Sequence, residues 1–151
     1  MHIPFARTLR GFLIMLLGYA LSACSALASG PSVELRAHKF DIEIAADEPA
    51  RERGLMFRDE MPTDHGMLFT FGDLAQRSFW MKNTRIPLDI LYFDEKYKLV
   101  SLQQRVPPCR SSGNDCPVYP STAPAQYVLE LNAGTAEKLG VQVGDELKVT
   151  R

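Results

Sequence analysis

Between Gly54 and Phe93 the chain sets a compact group of polar residues, Arg58, Lys82, Asn83, Thr84 and Asp89, among residues of core type. Two cations, an amide, a hydroxyl and a carboxylate are the parts of a site for an anionic ligand. The cations hold the charge, and Asn83 and Thr84 orient it. Trp80 sits among them. In an extended segment it falls on the face opposite Phe79 and Met81, beside Ser78 and Lys82. There it either belongs to a second core or forms an aromatic platform on which a sugar or flat ligand stacks.

Asp89 is the sharpest single residue. Period two along Leu88–Phe93 puts it on the face of Leu91 and Phe93, where a carboxylate is costly unless paired or hydrogen-bonded. Lys82 on a neighbouring strand is the first candidate partner, with Arg53 and Arg58 as others. One outcome is a structural ion pair that fixes register or a turn. The other is an acid in a cleft on which Lys82, Asn83 and Glu130 converge. Glu130 lies on the face opposite Tyr127, Leu129 and Leu131, beside Val128, and reads first as solvent-facing. If it approached Asp89, one of the two pKa values would rise, making Asp89 or Glu130 the base of a small hydrolase or lyase.

Metal and nucleophile chemistry have less to stand on. Met67, Met81 and His65 offer the thioether and imidazole ligands that suit Cu(I). Yet Met67 shares a strand face with Phe69 and Phe71, and Met81 with Phe79, which is core filling. No cofactor is expected. After the leader only His38 and His65 remain as histidines, and no nucleophile elbow, phosphate loop or zinc-type histidine pair is present. The reading leans away from an enzyme.

The N-terminus reads as export machinery. Arg7 and Arg10 precede an apolar run from Phe12 to Leu21, about half of the roughly 20 residues a permanent span needs. Leu21-Ser22-Ala23-Cys24 resembles a bacterial lipobox. The resemblance implies that residues 1–23 are a lipoprotein signal peptide and that Cys24 carries lipid, with the membrane as partner. A plain secretory signal cut near Ala28 is the alternative. The expected location is the periplasmic side of the cell envelope, and Ser25 is compatible with the outer membrane. With Cys24 lipidated, Cys109 and Cys116 are left to pair across a short loop in an oxidising compartment. That disulfide contributes about 2–3 kcal/mol. Two zinc ligands are the alternative, but no further ligand pair lies nearby.

The chain has 151 residues, 17 Lys and Arg against 18 Asp and Glu, and a formal charge of −1. Without the leader it is more negative still, since only arginines are lost. No basic patch stands out, so nucleic acid is not an expected partner. Residues 24–32 read as a flexible tether and 33–151 as one domain.

Val33–Ala37 and Phe40–Ala45 alternate as a hairpin turning at His38-Lys39. Asp47 caps a short helix that carries Pro49 in its first turn and ends at Gly54 in a left-handed cap. Met67–Phe71, Arg77–Met81, Leu88–Phe93 and Leu99–Val106 read as strands, with Asp94–Tyr97 as a hairpin turn. Residues 107–125, rich in proline, read as a long ordered loop without regular structure. Gln126–Leu131 is a strand, and Asn132 caps a helix through Leu139. Val141–Val143 and Glu146–Val149 form a last pair around Gly144-Asp145. The sum is an α+β, mostly β fold, a small antiparallel barrel-like or strongly curved sheet with two short helices.

Gly54-Leu55-Met56 with Arg58, Gly66-Met67-Leu68-Phe69, Phe79–Thr84, Pro87–Ile90, Tyr127–Glu130 with Ala133-Gly134, and Gly144-Asp145 together resemble the DUF192 family, also called UPF0127. The resemblance spans about residues 33–150 and implies one compact domain. It brings no established activity, and the Cys109–Cys116 loop is not part of it. The functional expectation is therefore a non-enzymatic, lipid-anchored envelope domain that binds a small molecule or a protein. Its recognition face would be Arg58, Trp80, Lys82, Asn83, Thr84 and Asp89, edged by the 107–125 loop.

Overall fold

The computed structural model describes residues 30–109 and 115–151. The expected signal peptide, Cys24 and most of the expected tether lie outside the described residues. In chain order the elements are β1 (Ser32–Leu35), β2 (His38–Ala45), α1 (Glu48–Arg53), β3 (His65–Ala75), β4 (Ser78–Trp80) and β5 (Leu88–Phe93). β6 (Leu99–Val106), β7 (Val118–Pro120), β8 (Ala125–Asn132), α2 (Thr135–Leu139) and β9 (Leu147–Thr150) follow.

Seven strands form one sheet in the order β6-β5-β8-β3-β2-β1-β9, and β4 pairs with β7 in a separate ribbon. The sheet curls into a half-barrel whose two edges meet at one end. There the Leu99 N–H donates to Asp145 O, the Leu147 N–H donates to Tyr97 O, and Lys98 bridges Glu146. The pairing is antiparallel except between β2 and β3. That parallel step needs a crossover, which α1 and the link after it supply.

The α1 signals hold. The Asp47 side chain accepts the Ala50 N–H at 2.8 Å and Pro49 sits in the first turn. Gly54 ends the helix at φ +45°, ψ −133°, which is not the left-handed cap the sequence suggested. A Cβ there would stand 3.2 Å from the Phe69 ring, so the helix end packs directly on β3.

Four local expectations need correction. The β1–β2 hairpin turns at Arg36-Ala37, both at positive φ, leaving His38-Lys39 in β2. The 107–125 segment is not wholly irregular, because Val118–Pro120 pairs with Ser78–Trp80. α2 is capped at Gly134 rather than Asn132. Asn132 instead donates to Met61 O and Pro62 O. At the end of the chain β9 pairs with β1, and residues 141–143 lie outside any strand.

Apolar residues cover both faces of the sheet. One face holds Leu68, Leu91, Phe93, Leu129 and Leu131, closed by Ala136 of α2. The other holds Met67, Phe69, Ile90, Tyr92 and Val128, closed by Leu55, Met81 and Ile86. β5 is accordingly buried at all six positions. Gly66 marks the tightest approach between strands. A Cβ there would lie 2.7 Å from Leu131 Cδ2 and 2.8 Å from Glu130 O. Cys109 and Cys116 are joined by a disulfide, with Cα atoms 5.7 Å apart.

Candidate functional site

Two tight backbone reversals build the walls of the site. After α1 the chain turns through Leu55 and Met56 into Phe57, whose φ is +65°. The facing turn after β4 holds Asn83 at φ +55°. A non-glycine residue held there is strained unless its surroundings compensate. The two turns brace each other: the Phe57 N–H donates to Asn83 O at 2.8 Å, and Asn83 Nδ2 lies 3.8 Å from Met56 Sδ. Thr84 closes its own turn, with its N–H donating to Met81 O and its hydroxyl to Lys82 O.

Between these walls lies a cleft of about 340 Å³ bordered by Glu52, Arg53, Met56, Phe57, Trp80 and Lys82. Phe57 and Trp80 are 55% and 37% exposed, so two aromatic side chains face the cleft. Lys82 Nζ lies 4.9 Å from the centroid of the Trp80 ring, a cation–π distance. A narrow extension of about 30 Å³ continues inward past Gly54, Phe79 and Thr84 to Glu130. A third hollow, about 430 Å³, lies on the other side of Met56 and reaches Glu43, Arg58 and Met67. All three share Arg53 and Met56.

Glu130 is the floor. It sits in β8 opposite Met67 of β3 and Ile90 of β5, on the second core face. The sequence put it on the correct face beside Val128, but that face is covered, so Glu130 is 4% exposed instead of solvent-facing. Among the described residues its carboxyl makes no hydrogen bond and no ion pair, and since no fully buried side-chain oxygen there lacks a partner, its remaining exposure is to the narrow extension it lines. Burial alone pushes its pKa up to about 8, so it is largely protonated at neutral pH. Nearby Tyr92 is raised too, by its own burial and then by the charge Glu130 would carry. Its hydroxyl donates to Tyr119 O at 2.5 Å.

Asp89 does not join this cleft. It is wholly buried, one residue out of step with Glu130, in register with Leu131 on the opposite face of the sheet. Its partner is not Lys82, Arg53 or Arg58. Oδ1 accepts the backbone N–H groups of Arg105 at 2.8 Å and Gly134 at 3.1 Å, and Oδ2 accepts that of Ala136 at 2.8 Å. Asp89 is thus the capping residue of α2, supplied from another strand. It pins the β6 bulge where Arg105 has φ +52°.

The other proposed residues divide. Trp80, Lys82 and Asn83 border the cleft and Thr84 its inner extension. Arg58 lines the third hollow, but its guanidinium is committed to both oxygens of Glu43. That hydrogen-bonded pair holds the Glu43 carboxyl below the usual range. Met67 and Met81 are buried in the second core, and His65 contacts Asp64 at 3.3 Å. Among the described residues no three His, Cys, Asp or Glu side chains are grouped to hold a metal ion.

Arg53 is the residue sequence reasoning undervalued. Arg36, Arg51, Arg58, Arg77, Arg85 and Arg105 are each ion-paired, with Asp145, Glu48, Glu43, Asp73, Asp59 and Glu137. The Arg53 guanidinium makes no hydrogen bond or ion pair among the described residues, yet Arg53 lines all three hollows around Met56. The arrangement can therefore offer an unpaired guanidinium at the rim and a neutral carboxyl at the floor, between aromatic walls.

The DUF192 family model, described as an uncharacterized ACR, matches residues 32–149. A crystal structure of a proposed transcription regulator from Sinorhizobium meliloti 1021 is 38% identical, with a TM-score of 0.69. The match covers 79% of this chain and 91% of that one. A protein of unknown function from Novosphingobium aromaticivorans DSM 12444 is 32% identical, also at TM-score 0.69, over 78% of this chain and 82% of that one. No curated protein sequence matches. The chain belongs to the DUF192 family.

Proposed function

We propose that this protein is a non-enzymatic ligand-binding domain of the bacterial cell envelope, tethered by lipid on Cys24, that takes a small organic anion into the Trp80 cleft. The observation that carries the reading is Glu130, a carboxyl only 4% exposed and without a hydrogen bond among the described residues, at the floor of a cleft lined in part by residues of the family motifs. A fold tolerates such a group at a cost of several kcal/mol, and such costs concentrate at functional sites. Arg53 holds the anionic group, Trp80 and Phe57 cover the body of the ligand, and Asn83 and Lys82 border it. The sequence-derived recognition face thus keeps Trp80, Lys82, Asn83 and Thr84, exchanges Arg58 for Arg53, and replaces Asp89 by Glu130.

The relative described as a transcription regulator does not redirect this reading. Nucleic-acid binding draws on a surplus of free Lys and Arg. Here the formal charge is −1 and six arginines are spent on intramolecular pairs. One second reading has a specific observation behind it: a carboxyl protonated at neutral pH is also a general acid, and Glu52 borders the same narrow extension.

Trp80 is the only tryptophan, so its fluorescence reports the cleft directly. Titrating residues 25–151 with small organic acids and cell-wall fragments should give a saturable change that Arg53→Ala abolishes. A flat response throughout would contradict a ligand site at Trp80. Turnover of a bound compound, lost in Glu130→Gln without loss of fold, would favour the enzyme instead. Tethering has its own test: Cys24→Ser should release the protein from the membrane fraction.

A further inference from the structure

We infer that the ligand's anionic group is a carboxylate, held between the guanidinium of Arg53 and a hydrogen bond donated by the Glu130 carboxyl. The inference rests on the cleft reading above and narrows it to a head-group class.

Three features of the cleft select the head group. A planar guanidinium fork matches a planar carboxylate in two parallel hydrogen bonds. The extension above Glu130, about 30 Å³, has room for about two water-sized atoms, which suits two carboxylate oxygens and not a tetrahedral phosphate. Finally, Glu52 borders both the cleft and its extension and is exposed. Its negative charge penalises a phosphate, which carries about −1.5 to −2, more than a singly charged carboxylate.

The charged and titratable groups around Glu130 come from several elements. α1 contributes Arg51, Glu52 and Arg53, β5 contributes Tyr92, and Lys82 covers Trp80 after β4. Arg51 is already spent on Ala46 O, Thr70 O and Glu48. Tyr92 is spent on Tyr119 O. Arg53 is left to meet the ligand's charge, and Glu130 is left to donate. A bound carboxylate disfavours ionisation of Glu130 further, so binding is linked to retention of its proton. Affinity is constant while Glu130 stays protonated and falls by about tenfold per pH unit once it ionises in the free protein.

Three probes with one aromatic body separate the head groups: phenylacetate, its neutral isostere phenylacetamide, and benzylphosphonate. Each is titrated into residues 25–151 at pH 7 and pH 9.5, following Trp80 fluorescence. Phenylacetate should bind at millimolar concentration or tighter, and the other two about tenfold or more weaker. Its affinity should drop at pH 9.5. Glu130→Gln, neutral at every pH and still a donor, should show the same affinity at pH 7 and pH 9.5, without the drop of the native protein. Benzylphosphonate or phenylacetamide binding as well as phenylacetate would overturn the head-group assignment while leaving the cleft a ligand site. So would a pH-independent phenylacetate affinity. No saturable response to any probe would overturn both.

Discussion

Asp89 and Glu130 are carboxylates one step out of register on adjacent strands, both buried, and their fates are opposite. Asp89 receives three backbone N–H groups and closes the start of α2. Glu130 receives none and opens onto a cleft. Period two sends them to opposite faces of one sheet, so equal burial produces a cap on one side and a latent binding group on the other. The lesson is that burial alone does not distinguish structural from functional acids; what the carboxylate is bonded to does.

The largest effect should come from Asp89→Ala. It leaves one buried and two part-buried backbone N–H groups without an acceptor, each worth about 1–3 kcal/mol, so a loss of about 5 kcal/mol is expected in urea or thermal unfolding. Fraying of α2 should appear as fast amide exchange at Gly134 and Ala136. A loss under about 1 kcal/mol would show that backbone capping is not the role of Asp89.

Glu130 should respond to pH where Asp89 responds to deletion. Its pKa rises from the ordinary 4.5 to about 8 on folding, so the folded state holds a proton the unfolded chain releases in between. The stability from this group is fully present below pH 4.5, declines as pH rises, and is lost above pH 8. The total is about 5 kcal/mol. Glu130→Gln has no such proton, so its stability relative to the native protein should climb by that amount between pH 4.5 and pH 9. Parallel pH profiles for the two proteins would place the native carboxyl in a solvated or paired state.

Gly66→Ala tests the strand approach next to Glu130. With Glu130 O at 2.8 Å from the new Cβ, β3 and β8 must separate, for a loss of about 2 kcal/mol. The smallest effect belongs to Arg58. Its pair with Glu43 is part-exposed on both sides, so Arg58→Ala should cost about 0.5 kcal/mol and leave ligand binding intact. Arg53→Ala should do the reverse, removing binding without a stability cost. If Arg58→Ala removed binding instead, the third hollow would be the ligand site.

The sequence made Asp89 conspicuous because the apolar run Leu88–Phe93 leaves it no solvent. Its partners were illegible, being backbone groups 16, 45 and 47 residues away. For the same reason the sequence points to Asn132 as the cap of α2: capping by a side chain from another strand has no local signature. Alternation gave the face of Glu130 correctly. Whether that face was covered depended on how α1, Gly54–Phe57 and β4 fold over it, a tertiary fact. Arg53 sits in the last turn of α1, where a cation is ordinary, and only the commitments of the other arginines set it apart. β7 was hidden by the prolines around it, and three residues of alternation are too few to see. Where neighbours along the chain decide a feature, as in the β5–β6 hairpin and the Asp47 cap, the sequence sufficed.

The most direct measurement is the titration of the Glu130 carboxyl itself, followed by 13C NMR in residues 25–151 with Glu130→Gln to assign the resonance. A midpoint near 8 is expected, with upward movement when phenylacetate is added. A midpoint at the ordinary value of 4.5 would mean that Glu130 is solvated or paired, and that the cleft holds no neutral acid to bind with.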